Sequence, residues 1–180
     1  DVLWPEADGD LARQNFKTTL HRLRKLIGPD ALPLHGGMLS LDSRLVWVDV
    51  FAFERLLREL EATEDAHEIP TLANEAITRY RGGFLPQERE SWMLPTQERL
   101  RSRFLRIIDQ AADRLCEQER WQAAIGCYQM ALEIEPLAEQ CYIGLMRCYY
   151  KLGRAAEGLA VYRRCHEALR TEFGIAPSAQ

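Results

Sequence analysis

Five basic side chains stand in one helix-length segment, residues 11–27, that contains no acidic residue. Guanidinium and ammonium groups three or four residues apart share one side of a helix and can contact successive phosphates of a nucleic acid. Polar side chains between them could bond base edges in the major groove. The ordinary alternative for such a run is a solvated surface helix. The residues we assign to DNA binding are Arg13, Gln14, Lys17, Thr18, His21, Arg22, Arg24 and Lys25.

The same segment carries an apolar stripe, which predicts an amphipathic helix packed on a core. Its members step by four, three and four residues: Phe16, Leu20, Leu23 and Ile27. Asp10 is the expected N-cap, and Gly28-Pro29 ends the helix. We expect Arg13, Lys17 and Arg24 to lie opposite the stripe with Gln14 and His21. Gln14, Lys17 and Arg24 are then the expected base contacts, and Arg22 and Lys25 the backbone contacts.

A β-hairpin is predicted directly after the basic helix. Residues 31–42 alternate apolar and polar residues around Gly36-Gly37, a turn signal. Residues 45–50 are rich in β-branched residues and predict a further short strand or an extended lead-in to the next domain. Leu3 and Trp4 are expected in the last turn of a helix that begins before Asp1, so part of a domain would precede this sequence. A basic helix followed by a hairpin is typical of a winged helix-turn-helix.

Composition argues against several other classes of protein. The net charge of −4 comes from residues 48–180, since residues 1–47 balance six basic with six acidic residues. The five cysteines are odd in number, lack C-x-x-C spacing and fit small buried thiols in a reducing cytoplasm. No stretch approaches a membrane span. The histidines are scattered, and Glu88 and Glu90 stand in a polar loop, so we predict no catalytic site, cofactor or metal.

A repeat with a period of 34 residues organises the second part of the chain. Ala124 and Tyr128 stand one helical turn apart, and Gly158 and Tyr162 repeat that pair. A period of 34 is that of the tetratricopeptide repeat, a pair of antiparallel helices. The pair formed by Ala76 and Tyr80 indicates a third, degenerate repeat. The alternative is an ordinary helical hairpin whose spacing agrees by chance.

The periodicity predicts a largely helical second domain, residues 48–180, after a first domain of residues 1–47. Phe53, Leu56, Leu57 and Leu60 form the apolar face of its first helix, and residues 63–68 form a polar loop. A helix over residues 70–81 ends at Gly82-Gly83, and an insertion over residues 84–95 follows. Further helices are predicted over residues 96–118, 121–134, 137–152 and 155–172, before a loop-like tail.

The two parts together resemble a known family arrangement. The run LWPEADGDLARQNFKTTLHRLRKLIG with the hairpin resembles the second half of the winged-helix domain of response-regulator-type transcription factors. The runs YRGGFLP, ALEIEPLAEQCYIGLMRCYYKLGR and LAVYRRCHEALRTEFGIAPS resemble the bacterial transcriptional activator domain. That order is similar to the antibiotic regulatory protein (SARP) family. The resemblance implies a mostly α fold with a partial winged helix-turn-helix, in which residues 11–27 are the recognition helix and residues 33–41 the wing.

The resemblance also implies a cytoplasmic transcriptional activator whose partner is double-stranded DNA. The wing of that family often carries an arginine at its tip, whereas this chain has His35-Gly36-Gly37. Stacked helical hairpins present a concave surface to protein segments. Oligomerisation to a homo-dimer, effector sensing and contact with RNA polymerase are the roles left open for this domain. The competing hypothesis is a protein-interaction scaffold whose winged-helix remnant does not bind DNA.

Overall fold

The computed structural model describes residues 3–80, 84–85 and 90–175. It divides into two compact units, Asp1–Ala52 and Phe53–Gln180. Within the described residues the fold is mostly α, with one small hairpin, as predicted. The elements in chain order are α1 (Gly9–Ile27), β1 (Leu34–His35), β2 (Met38–Leu39), α2 (Asp49–Ala62), α3 (Ile69–Tyr80), a 3-10 turn (Ser91–Met93), α4 (Leu94–Glu117), α5 (Trp121–Ile134), α6 (Glu139–Lys151) and α7 (Ala155–Phe173).

Helix α1 begins earlier than the sequence analysis predicted. Asp8 is the N-cap, since its carboxylate accepts a hydrogen bond of 2.8 Å from the amide of Leu11. Asp10 lies in the first turn, where its negative charge interacts favourably with the positive end of the helix dipole. Leu3 and Trp4 are not helical. The Trp4 carbonyl instead accepts from the amide of Ala7 in a turn that leads into the cap.

The apolar stripe of α1 is less buried than predicted. Phe16 and Leu23 remain 39% and 38% exposed, and Leu20 and Ile27 are half-buried. Ala12 is the residue that α1 buries fully. The reason is a thin core, since the other fully buried apolar residues of the first unit's described part are Ala31, Leu32 and Ala52.

The predicted hairpin is present, and the prediction of its turn is confirmed. Leu34 pairs with Leu39 and His35 with Met38 in antiparallel register. Gly36 and Gly37 have φ values of +56° and +80°, the left-handed backbone that a type I′ hairpin turn requires at both positions.

Backbone bonds extend the stem of the hairpin beyond the two strands. The Ser40 amide donates to the Pro33 carbonyl, and the Asp42 amide donates to the Ala31 carbonyl. Residues 45–50 form no strand. The chain turns there because the amides of Leu45 and Val46 both donate to the Asp42 carbonyl.

The helices of the second unit follow the predicted pattern closely. Helix α5 has the predicted bounds, and the bounds of the other helices agree to within about two residues, as is usual at helix ends. Helix α5 packs against α3, α4 and α6, and α6 packs against α7. Gly82-Gly83, residues 86–89 of the insertion with Glu88, and the end of the tail lie outside the described residues.

The small and aromatic residues of the repeat lie where helices meet. Ala76, Ala124 and Tyr128 are buried, and the Tyr128 ring lies so close to Gly144 that a Cβ there would clash with it. A Cβ built on Gly158 would lie 3.7 Å from the Cβ of Tyr149, in ordinary contact. Tyr162 differs from its equivalents because it remains 45% exposed on α7.

Polar side chains tie the beginning of the second unit to its middle. The Tyr80 hydroxyl donates to Glu135 Oε1 at 2.8 Å, and Arg101 Nε donates to Glu135 Oε2 at 2.9 Å. The Tyr80 ring stacks on Phe104 at 4.4 Å between centroids, and Phe53 packs beside both rings. Burial and the hydrogen bond to Glu135 raise the pKa of Tyr80, so the hydroxyl stays protonated as a donor.

Candidate nucleic-acid interface

The outward surface of α1 is the candidate interface, and we call it the basic face. Most of the side chains assigned to DNA binding are exposed there, because α1 is covered by little else in the described part of its unit. The exposed members are Arg13, Gln14, Lys17, Thr18, His21, Arg22 and Lys25. The structure therefore brings seven of the eight predicted residues to one solvent-facing helix surface.

Arg24 is the exception, because its guanidinium points toward the hairpin. Its Nη2 donates a 2.7 Å hydrogen bond to the Leu32 carbonyl, and its Nε is buried without a partner among the described residues. Leu32 is 4% exposed and precedes the first strand. Arg24 thus links the helix to the base of the wing.

The helical period explains this position and corrects the expected arrangement of the face. Arg24 stands four residues after Leu20, and Lys17 stands three residues before it, so both lie beside the apolar stripe and not opposite it. Arg13 lies on the same row, four residues before Lys17. The side opposite the stripe consists of Gln14, Thr18, His21, Arg22 and Lys25.

The wing exposes apolar side chains near its tip. No lysine or arginine occurs in residues 33–41, and Leu34 and Met38 are 54% and 76% exposed. The nearest cation after the hairpin is Arg44, which pairs with Asp42 through Nε at 3.0 Å and Nη2 at 2.6 Å. The hydrogen bonds from Arg44 hold the pKa of the Asp42 carboxyl at about 2.

A second candidate surface lies in the helical unit. A groove of about 360 Å³ opens between α4 and α6, and we call it the α4–α6 groove. Asp113 forms an ion pair with Arg147 at its wall. The residues that line the groove are Asp113, Cys116, Glu117, Trp121, Arg147 and Lys151.

The sequence analysis missed this groove, although the repeat carries a signal for it. Asp113 and Arg147 are 34 residues apart, and so are Glu117 and Lys151. Equivalent positions of successive repeats face the same side of a solenoid. Opposite charges at two such positions therefore predict a charged groove between the first helices of the two repeats.

The described part of the chain has neither a candidate metal site nor a candidate membrane span. Over residues 3–80, 84–85 and 90–175, no group of three or more histidine, cysteine, aspartate or glutamate side chains could hold a metal ion. None of the described helices combines the length and the apolar character that crossing a bilayer requires.

Comparison with protein families gives a match over the second part of the chain. The family described as "Bacterial transcriptional activator domain" matches residues 48–180, which is more than half of the chain. That range covers all helices of the second unit.

Two similar proteins are each called "Regulatory protein AfsR". The one from Streptomyces griseus is 27% identical over 187 residues, and the one from Streptomyces coelicolor is 25% identical over 181 residues. Each alignment covers 98% of this chain and 18% of the relative, so the chain spans less than a fifth of either protein.

A solved structure shows the same fold. It is Mycobacterium tuberculosis EmbR in complex with a low-affinity phosphopeptide, with a TM-score of 0.71 and 21% sequence identity. The superposition covers 98% of this chain and 49% of EmbR.

Proposed function

This chain belongs to the bacterial transcriptional activator domain family, and from that premise we propose that it regulates transcription by binding double-stranded DNA through its first unit. The family is described as a transcriptional activator domain, and the two similar Streptomyces proteins are named regulatory proteins. The observation that carries the DNA-binding part is the basic face, on which four exposed cations and three exposed polar side chains share one helix. A helix of this composition can enter the major groove and contact phosphates on both sides of it.

We assign the contacts by their position on α1. Gln14, Thr18 and His21 lie on the side opposite the apolar stripe and are proposed to reach base edges, where a glutamine can bond adenine at two atoms. The cations flank them and are proposed to hold the phosphate backbone. These are Arg13, Lys17, Arg22 and Lys25.

Arg24 has a different role in this proposal, since its guanidinium already bonds the Leu32 carbonyl. It positions the wing relative to the recognition helix. The wing tip would contact DNA through its backbone and the His35 side chain, because residues 33–41 contain no lysine or arginine.

The helical unit is proposed to contact protein. Trp121 and the charged side chains of the α4–α6 groove offer an aromatic anchor with complementary charges. Tyr150 at 80% exposure and Leu159 at 51% add apolar surface. Oligomerisation, effector sensing and contact with RNA polymerase are the three uses of this surface that fit a transcriptional regulator.

Salt-dependent DNA binding tests the proposal. Each phosphate contact releases counterions, so the logarithm of the affinity falls with the logarithm of the salt concentration by about 0.9 per contact. We expect a labelled random-sequence duplex of roughly 30 base pairs to bind with such a slope. Arg22→Ala should lower the slope by about one unit, and fluorescence anisotropy between about 50 and 200 mM salt measures it.

Two further variants distinguish contacts to bases from sequence-independent electrostatic attraction. Gln14→Ala should leave the slope on random duplex unchanged but weaken binding to a site selected from a random pool by about 1–3 kcal/mol. Arg163→Ala removes an equally exposed arginine on α7 and should change neither measurement. If the wild-type chain shows no salt-dependent binding, or if Arg163→Ala lowers the slope as much as Arg22→Ala, the scaffold hypothesis replaces this proposal.

A further inference from the structure

Two thiols from different helices meet inside the second unit. Cys116 of α4 and Cys148 of α6 place their sulfur atoms 3.5 Å apart, although they are 32 residues apart in the chain. The two thiols are hydrogen-bonded to each other. The remaining cysteines, Cys127, Cys141 and Cys165, are also buried and free.

One member of this pair has a route to solvent. Cys116 lines the α4–α6 groove and is 9% exposed, whereas Cys148 is fully covered. The groove has a volume of about 360 Å³. This is roughly ten times the volume that one water molecule occupies in the liquid. A small oxidant such as hydrogen peroxide can therefore reach the Cys116 sulfur, with Cys148 directly behind it.

We propose that Cys116 and Cys148 form a reversible oxidation site that a peroxide converts to a disulfide. Cys116 reacts first, and its sulfur takes one oxygen atom from hydrogen peroxide to give a sulfenic acid and one water. The Cys148 sulfur then attacks the Cys116 sulfur. The S–O bond breaks, the S–S bond forms, and the hydroxyl leaves with the Cys148 proton as a second water. Two thiols are thus oxidised, one peroxide is reduced, and a thiol reductant restores the pair.

The geometry needs a small movement to complete this bond. A disulfide is about 2 Å long, so the two sulfur atoms must approach by roughly 1.5 Å. Rotation of the two side chains and a slight shift of α4 toward α6 can supply it. The disulfide would join two helices that both pack on α5, at the wall of the groove.

The local electrostatics set the expected rate. Burial raises the pKa of Cys116, and burial together with the Cys116 thiol raises the pKa of Cys148 to about 12. Arg147 opposes this increase at both thiols, and Asp113 adds to it. Asp109 of α4 also raises the pKa of Cys116, Cys127 of α5 is a further ionisable neighbour, and Glu117 and Lys151 line the same groove. The thiolate is therefore scarce at neutral pH, and the reaction should accelerate about tenfold per pH unit below the Cys116 pKa.

Tryptic peptide mapping of the oxidised chain tests the proposal directly. Cleavage after arginine and lysine places Cys116 in residues 115–120, Cys148 in residues 148–151 and Cys165 in residues 165–170, while Cys127 and Cys141 share residues 121–147. After treatment with hydrogen peroxide and alkylation of free thiols, we expect peptides 115–120 and 148–151 to be joined. Dithiothreitol should separate them.

Matched variants identify the roles of the two thiols. Cys148→Ser should leave Cys116 as a sulfenic acid that a dimedone probe labels, and Cys165→Ala should leave the cross-link intact. The peptide map of the oxidised wild-type chain still tests the proposal if a variant fails to fold. The proposal is overturned if peroxide leaves all five thiols alkylatable, oxidises Cys116 to a sulfinic acid without a cross-link, or joins a different pair of peptides. DNA binding enters none of these measurements, so this site and the proposed function fail independently.

Discussion

Helices α1 and α5 differ in how much of their surface the fold covers. Helix α1 has 19 residues, of which Ala12 alone is fully buried. Helix α5 has 14 residues and buries six of them: Ala124, Ile125, Cys127, Tyr128, Ala131 and Leu132. The difference follows from composition, since α1 carries five cations and α5 carries a single charged residue, Glu133. One helix presents its side chains to solvent, and the other holds a core together.

Equivalent ring deletions in the two helices should give the largest contrast. Tyr128→Ala should destabilise the second unit by roughly 2–4 kcal/mol, because the ring is fully buried and its hydroxyl bonds Asp109 at 3.0 Å. Phe16→Ala should cost about 1 kcal/mol or less, because Phe16 is 39% exposed. Urea unfolding followed by circular dichroism measures both. Equal decreases in the free energy of unfolding would mean that Phe16 of α1 is packed as deeply as Tyr128 of α5.

Two glycine substitutions should have opposite signs. Gly144→Ala should destabilise the second unit by about 1–3 kcal/mol, since its Cβ would clash with the Tyr128 ring. Gly158→Ala should stabilise by roughly 0.5–1 kcal/mol, because the methyl group fits and alanine favours a helix. Thermal unfolding of the two variants and the wild type measures both changes in stability. A stabilised Gly144→Ala variant would show that α5 and α6 are loosely packed.

Removing the hydrogen bond between Arg24 of α1 and the base of the wing should reduce stability by an intermediate amount. Arg24→Met keeps most of the side-chain stem but removes the donor to the Leu32 carbonyl, at a cost of about 1–2 kcal/mol. Amide hydrogen exchange at Ser40 and Asp42 should become roughly tenfold faster, as about 1.4 kcal/mol implies. Lys25→Met, on the exposed side of α1, is the control and should leave this exchange unchanged.

The smallest expected effect is the pH dependence of the ion pair between Asp42 and Arg44 at the end of the hairpin. The Arg44 hydrogen bonds lower the pKa of Asp42 from 3.8 to about 2. Because the folded pKa is depressed, the ion pair stabilises the turn above pH 3.8 and this contribution disappears as the pH falls toward 2. Carboxyl chemical shifts in an NMR titration report the value. In Arg44→Gln the pKa should return to the usual range, and an unchanged value would remove Arg44 as the cause.

The sequence predicted well wherever local spacing determines structure. The bounds of α5 follow from its repeated small residue and tyrosine and from Pro136, and the hairpin turn follows from two adjacent glycines. The helix start was wrong by two residues because Asp8 and Asp10 both fit an N-cap. Spacing alone does not show which of two carboxylates meets a free amide.

The errors concern partners distant in the chain. The period of α1 predicts an apolar stripe but not how much core is available to cover it, so the exposure of Phe16 could not be foreseen. The helical period already places Arg24 beside Leu20, but its bond to the Leu32 carbonyl depends on where the hairpin folds back. The proximity of Cys116 and Cys148 depends on how α4 and α6 cross, which neither helix determines alone.

The position of α5 also bears on how the second unit folds. Helices α4 and α6, which flank it, are its neighbours in the chain, so most of its packing closes only short loops and requires little loss of chain entropy. Such contacts form early, and we expect α4, α5 and α6 to be ordered in the folding transition state. Helix α7 packs on α6 and would join late. Ala131→Gly should therefore slow folding, whereas Ala168→Gly in α7 should mainly speed unfolding, as stopped-flow kinetics can show.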